Sequence, residues 1–257
     1  MQHNYRLTFM YDGGRYQGWQ NQQDRLTIEG TMEDVLEKIL GAEAIKLIAS
    51  GRTDAGVHAY GQVANFHLPD KGRIENIREF QQELNRNLPE DIRVYCVEEV
   101  AEGFHSRYDA VGKTYCYKID TGERPGVFTR RYAYSFPEKL NLGEMNRAIP
   151  YLLGERDFRA FSSEKRKNKD TVRKLEEIRI STKDSMVFIS FYGNGFLYHM
   201  VRILTGTLIE IGTGKKRVEE LPHIFESKNR FLAGFMAPAH GLALVEVDYG
   251  SNSSAIG

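Results

Sequence analysis

The string Gly51-Arg52-Thr53-Asp54-Ala55-Gly56-Val57-His58-Ala59 sets a carboxylate two residues from a guanidinium, with a glycine on either side. The glycines permit tight backbone geometry, so Asp54 and Arg52 can line one concave surface. A carboxylate in that setting can act as nucleophile or general base, and the forked arginine can hold phosphate or base edges. The plainer alternative is an Asx-type turn with a surface ion pair. Two further residues stand out by context. Tyr115 lies on the alternating segment 113–119, where pattern alone reads it as core. Arg202 lies between Val201 and Ile203 in an apolar run, where a charge is costly unless it has a partner.

Within residues 165–174, Lys165, Arg166, Lys167, Lys169, Arg173 and Lys174 are opposed only by Asp170. This stretch is the main candidate for phosphate contact, with a solvated loop as the alternative. The whole chain carries 35 basic and 35 acidic residues. Net charge therefore names no partner, and binding a folded RNA would require the positive residues to be gathered on one face. The seven histidines, among them His58 and His105, form no cluster of metal-ligand spacing, so no metal site is expected.

These residues need a scaffold, and the pattern supplies one. Tyr5, Leu7, Phe9 and Tyr11 alternate as a strand that ends in Asp12-Gly13-Gly14. Ile28, Met32, Val35, Leu36, Ile39 and Leu40 recur at helical spacing, with Thr27 as cap and Gly41 as exit. A strand through Val63, Ala64 and Phe66, a helix through Ile77, Phe80 and Leu84, and a strand through Ile92, Val94 and Cys96 follow. The second half repeats the mixture. It reads as a strand at 113–119, a helix from Leu142 to Leu152 that Pro150 should kink or end early, and strands at 172–180 and 186–192. A buried helix at 198–211, a short helix at 218–225 and a final strand at 242–248 complete it. The expectation is an α+β fold of two similar mixed sheet-and-helix halves, divided as 1–105, carrying the Asp54 loop, and 106–257. A weak echo between the halves hints at internal duplication.

The chain has 257 residues, is 41% hydrophobic and 27% charged, and contains Tyr 14 and Phe 14. This composition excludes a disordered chain. Two cysteines, Cys96 and Cys116, are too few for a disulfide framework and are expected as small hydrophobes in strands. No apolar stretch has the length of a membrane span and no secretory signal opens the chain, so a cytosolic location is expected.

The nine-residue string resembles the signature loop of the tRNA pseudouridine synthases of the TruA family. The resemblance continues through Tyr11-Asp12-Gly13, Gly18-Trp19-Gln20, Phe104-His105-Ser106-Arg107, Lys113-Thr114-Tyr115-Cys116-Tyr117 and Gly195-Phe196-Leu197-Tyr198-His199-Met200-Val201-Arg202, in order along nearly the whole chain. It implies the pseudouridine synthase fold around a central cleft, a homodimer, and no metal or organic cofactor. The implied activity is isomerisation of uridine to pseudouridine at neighbouring positions, 38 to 40, in the anticodon stem-loop of tRNA. Carried over residue by residue, Asp54 matches the essential aspartate and nucleophile. Arg52 matches the arginine that helps expose the nucleotide, Tyr115 the tyrosine packed on uracil, and Arg202 the arginine paired with the aspartate. His58, His105, Arg107, Lys165, Arg166, Lys167 and Lys169 are the further candidates for contact with RNA, His58 more as a hydrogen-bonding support than as an acid or base. The stretch 162–171 is more lysine-rich than the family's common form, which bears on the RNA position modified rather than on the chemistry.

The reaction breaks the bond from ribose C1′ to uracil N1, turns the base, and joins C1′ to C5. A carboxylate can attack C1′ to give a sugar ester, or remove the C2′ proton to give a glycal, and the sequence leaves both open. Two other functions would draw on some of these residues. A glycosidic-bond hydrolase would need a second carboxylate, which is not obvious near the string. A noncatalytic RNA-binding protein would need the basic and aromatic residues but not Asp54.

Overall fold

The computed structural model of the chain describes residues 2–124, 126–166 and 168–250, and these fall into two units. The first unit comprises the chain up to Val111 together with the segment from Leu244 on, and the second is Gly112–Ala243.

In the first unit, strand β1 (Gln2–Tyr11) sends Tyr5, Leu7 and Phe9 wholly into the core, in the alternation that the sequence pattern requires. Helix α1 (Ile28–Leu40) is capped by Thr27, whose hydroxyl accepts from Gly30 N at 3.3 Å. It ends at Gly41, whose φ of 59° is left-handed. Its buried stripe is Ile28, Met32 and Leu36, each worth roughly 1.5–3 kcal/mol on leaving water. Strand β2 (Ile48–Ala49) pairs with β3 (His58–Pro69), which runs antiparallel to β1 with Leu7 opposite Ala64. Strand β3 begins at His58, so it extends directly out of the signature loop.

Helix α2 (Ile77–Asn87) buries Phe80 and Leu84 and packs on β4 (Ile92–Val100), which pairs with the other side of β1. Strand β4 lies at the edge of the order β4-β1-β3. There Asn85 of α2 accepts from Val94 N at 2.9 Å and donates to Val94 O at 2.7 Å, so a side chain supplies the pairing an edge residue lacks.

In the second unit, β5 (Gly112–Asp120) carries a short parallel partner, β6 (Tyr134–Ser135). Helix α3 (Leu142–Leu152) runs through Pro150 and ends two residues later. A proline in the last turn removes one backbone bond at most, so the early end expected of it does not occur. Strands β7 (Gly154–Asp157), β8 (Val172–Lys183) and β9 (Met186–Gly193) complete the order β5-β9-β8-β7, all antiparallel, with Tyr115 opposite Phe191. Helix α4 (Met200–Gly212) is buried on nearly every side and packs on α3. It starts at Met200 rather than at 198 because His199 has a φ of 64° and cannot belong to it. The short helix α5 (Leu221–Ser227) follows.

The last strand, β10 (Leu242–Asp248), lies beside β3 through its first-unit residues. The two units divide after Val111, and residues 106–111 are tied to the first unit. Ser106 N donates to Asn65 Oδ1 at 2.9 Å, Tyr249 donates to Ser106 O at 2.8 Å, and Val111 N donates to Asp248 O at 2.8 Å.

Cys96 lies in β4 and Cys116 in β5, both free thiols whose ionisation burial pushes up. Among the described residues no helix is long and apolar enough to cross a membrane.

Candidate active site

The signature loop is held from three directions by backbone and buried side chains of the first unit. Val57 N donates to Asp54 O at 3.1 Å, closing a four-residue turn whose third residue, Gly56, has the positive φ of 79° that a type II turn requires. Asp54 thus opens a tight turn and is half-buried, while Arg52 is exposed. Trp19 N donates to Thr53 O at 3.0 Å, and Gly56 N donates to Tyr16 O at 3.3 Å. The Trp19 ring is itself buried against Phe9 and anchored through its Nε1 to Glu29 at 3.1 Å. Gly18, at φ 89°, comes so close that a Cβ there would lie 2.9 Å from Thr53 O.

Beneath the loop runs a buried polar network. Tyr11 and Thr53 share a 2.7 Å hydroxyl–hydroxyl bond, and Gln62 donates to Gly51 O at 3.0 Å and to the Tyr11 oxygen at 3.4 Å. The Gln62 carbonyl accepts from Ser50 Oγ at 2.8 Å and from Val63 N at 3.1 Å. Burial pushes the Tyr11 hydroxyl up to about 12, against the opposing pull of Thr53 and Gln62, so it remains a neutral phenol at physiological pH. Replacing Gln62 with Leu should strand several of these groups at about 1–3 kcal/mol each. A lower urea midpoint and a slower single-turnover rate are expected, and an unchanged midpoint would show that the network does not hold the loop.

His58 is buried at the start of β3. Its Nδ1 accepts from Gly13 N at 3.1 Å and also lies 3.1 Å from Asp12 Oδ1. One nitrogen cannot accept from an amide and donate to a carboxylate together. In the neutral ring the amide bond holds, and the Asp12 contact becomes an ion pair only on protonation. Asp12 meanwhile accepts from Gly14 N at 2.8 Å, so the turn after β1 and the signature loop brace each other.

His105 and Arg107 lie on a separate turn of the same unit. His105 Nδ1 accepts from Arg107 N at 3.1 Å and Tyr108 N at 3.3 Å, a cap that presents Arg107 and a three-quarters exposed Tyr108. The turn hangs from Asn4 and Asn65, whose amides reach Phe104 O at 2.8 and 3.4 Å.

The second unit carries the other candidates. Tyr115 is buried in β5 and meets Phe196 edge-on at 5.0 Å between ring centroids. Arg202, in the first turn of α4, is only 9% exposed, and its Nε donates to Ala237 O at 2.7 Å while Ala237 N returns a bond to Arg202 O at 3.1 Å. A buried arginine needs such acceptors. Burial raises the pKa of Tyr117, which shares a face of β5 with Tyr115, while the charge of Arg202 opposes the rise.

The chain leads into the basic stretch from Ser163, whose N donates to Tyr198 O at 3.1 Å and whose Oγ meets His199 Nδ1 at 2.9 Å. Lys165 and Arg166 are exposed and Lys169 is half-buried; Lys167 lies outside the described residues. Glu164, one residue before the stretch, binds Arg166 at 2.8 Å, and that guanidinium holds its carboxyl down at about 2. Arg173 pairs with Asp170 and Lys174 with Glu176, so the stretch is more compensated than a count over 165–174 suggests.

Sequence reasoning gave no role to Gln62, Ser50 or Thr53. The signal was present in Gln62, a polar residue in the same strand parity as the core residues Ala64 and Phe66.

Comparison with known proteins bears on the chain as a whole. A family model described as tRNA pseudouridine synthase matches residues 7–109 and 148–250, two successive stretches that fit the two similar halves expected from the pattern. A tRNA pseudouridine synthase A of Bacillus sp. (strain KSM-64) is 45% identical over 247 residues, covering 96% of this chain and 99% of the relative. Enzymes of the same name from Acetivibrio thermocellus and Clostridium kluyveri are 44% and 42% identical over 246 residues, at 96% and 99% coverage. The matched stretches include the braced Asp54 loop and the Arg202 helix, and with identity sustained over nearly the full length this chain belongs to the tRNA pseudouridine synthase family.

Proposed function

We propose that this chain isomerises uridine to pseudouridine in the anticodon stem-loop of tRNA, with Asp54 as the reacting carboxylate. The observation that carries the reading is the Asp54 turn, fixed by backbone bonds to Trp19, Tyr16 and Val57, in a chain of this family. Such rigidity matters because a nucleophile must be held near its attack geometry before the substrate arrives. In this reading Arg52, exposed beside it, takes the place of the base when the nucleotide is extruded. Tyr115 offers the freed uracil an aromatic face, Arg202 supplies a fixed guanidinium, and the protein acts as a homodimer.

The isomerisation balances without a co-reactant. The C1′–N1 bond breaks and the C1′–C5 bond forms, C5 loses a proton, and N1 gains one. The test is chemical mapping of pseudouridine in unmodified tRNA before and after incubation with the protein. New pseudouridine in the anticodon arm, at unchanged RNA mass, supports the reading. Free uracil would identify a hydrolase, and unmodified tRNA bound without change would identify a binding protein.

Phosphate contact by the basic stretch makes a separate expectation. Replacing Lys165, Arg166 and Lys169 together with Ala should weaken tRNA binding and flatten the dependence of log Kd on log salt by roughly 0.7–0.9 for each phosphate no longer neutralised. Binding measured across a salt series checks it, and a wild-type slope would place the stretch away from the RNA.

A further inference from the structure

Phe231 is 93% exposed, although a phenylalanine gains by leaving water. Its exposure is built into the backbone. Asn229 Oδ1 accepts from Phe231 N at 3.0 Å, Arg230 donates to Gly234 O at 2.9 Å, and Lys216 donates to Leu232 O at 2.9 Å. The turn is then fastened to α4. Gly234 N donates to Thr207 Oγ1 at 2.9 Å, and Gly206 lies so close beneath that a Cβ there would fall 1.9 Å from Phe235 O. The same segment continues to Ala237, the acceptor of the Arg202 Nε.

The neighbours of this turn carry positive charge. Its 3-10 segment Arg230–Leu232 packs against the 3-10 segment Arg159–Phe161. Arg159 in turn donates to Lys169 O at 2.7 Å and to Arg166 O at 3.4 Å, holding the basic stretch by its backbone. Lys228, just before the turn, pairs with Asp157 at 2.7 Å, and Asp157 also accepts from Thr171 at 2.5 Å. The turn that carries the exposed ring and the basic stretch are thus both tied to one short segment of the second unit, Arg159–Phe161.

We propose that Phe231 is a stacking platform for an unpaired nucleobase of the RNA substrate, whose flanking phosphates lie toward Lys165 and Lys169. An isolated aromatic beside cations suits a base and its phosphates, because every base has a face to stack and every linkage a charge. A protein partner would call for contiguous apolar area, whereas the residues leading to Phe231 (Glu226, Ser227, Lys228 and Asn229) are exposed and polar. The inference rests on the proposed function only in taking RNA as the partner.

The experiment compares Phe231→Ala, Phe231→Trp and wild type in binding unmodified tRNA. Phe231→Ala should raise Kd by about fivefold or more, the scale of one base stack, with the salt slope and melting temperature of wild type. Phe231→Trp should bind at least as well as wild type, and its indole should be shielded from acrylamide when tRNA is added. Trp19, the one native tryptophan, is buried and sets the background. An unchanged Kd in Phe231→Ala, or an unshielded indole, overturns the proposal. So does a change in oligomeric state in Phe231→Ala, which would assign the ring to a second copy of the chain. Because binding is read without turnover, failure to form pseudouridine would refute the function while leaving the platform standing.

Discussion

Asp54→Asn is expected to abolish pseudouridine formation, lowering the single-turnover rate by about 10⁴-fold or more, the scale seen when a reacting group is removed. The substitution keeps the size and shape of the side chain and the backbone bond from Val57 N, so the turn should survive. What it removes is the charge that either route through the reaction needs, since an amide neither attacks C1′ nor takes the C2′ proton. Affinity for tRNA should stay within about tenfold of wild type, because most of the binding energy comes from phosphate contacts elsewhere. Release of tritium from uracil C5 in saturating tRNA measures the rate, and a filter-binding titration the affinity. Turnover by the variant at the wild-type rate would remove Asp54 from the chemistry.

Gly13→Ala should produce the second large effect, though Gly13 lies far from Asp54 in the sequence. A Cβ on Gly13 would lie 2.0 Å from Val57 O and 2.7 Å from Val57 C, and backbone cannot yield as a side-chain tip can. Either the turn after β1 or the signature loop must shift. Crowding of this kind costs about 1–3 kcal/mol in stability. The rate should fall further, since a displacement of about 1 Å at reacting groups can cost about 100-fold. Gly41→Ala is the contrast. Its φ of 59° makes alanine unfavourable, but a Cβ there meets nothing within 4 Å, so it should lower the melting temperature and spare the single-turnover rate. Thermal melts with rates at saturating tRNA separate the two, and a wild-type rate in Gly13→Ala would show that the two loops move independently.

The regular elements were legible because burial imposes a period. Tyr5, Leu7 and Phe9 alternate as a one-sided strand must, and Ile28, Met32 and Leu36 return at helical spacing. Strands β2 and β6 are two residues long and carry no period, so no pattern could announce them. The Asp54 loop was legible from an unusual run of residue types, whereas its supports were not. Tyr11 reads as one more apolar position in a strand, and only the structure shows its hydroxyl bonded to Thr53. Gln62 looks like a polar interruption of a core strand until Gly51 O and Ser50 Oγ are found on its amide. Charge counts misled for a related reason: the window 165–174 leaves out Glu164, which holds Arg166.

The return of β10 to the first unit carries a consequence for synthesis. Everything from Gly112 to Ala243 is made before Leu244–Asp248, so the ribosome releases the edge of β3 long before the strand that covers it exists. A nascent chain must shelter the part of that edge that β2 does not cover for more than half the time of its own translation, and a product cut short anywhere upstream of Leu244 keeps that part bare. Premature termination should therefore yield species prone to strand-to-strand aggregation rather than a serviceable amino-terminal fragment.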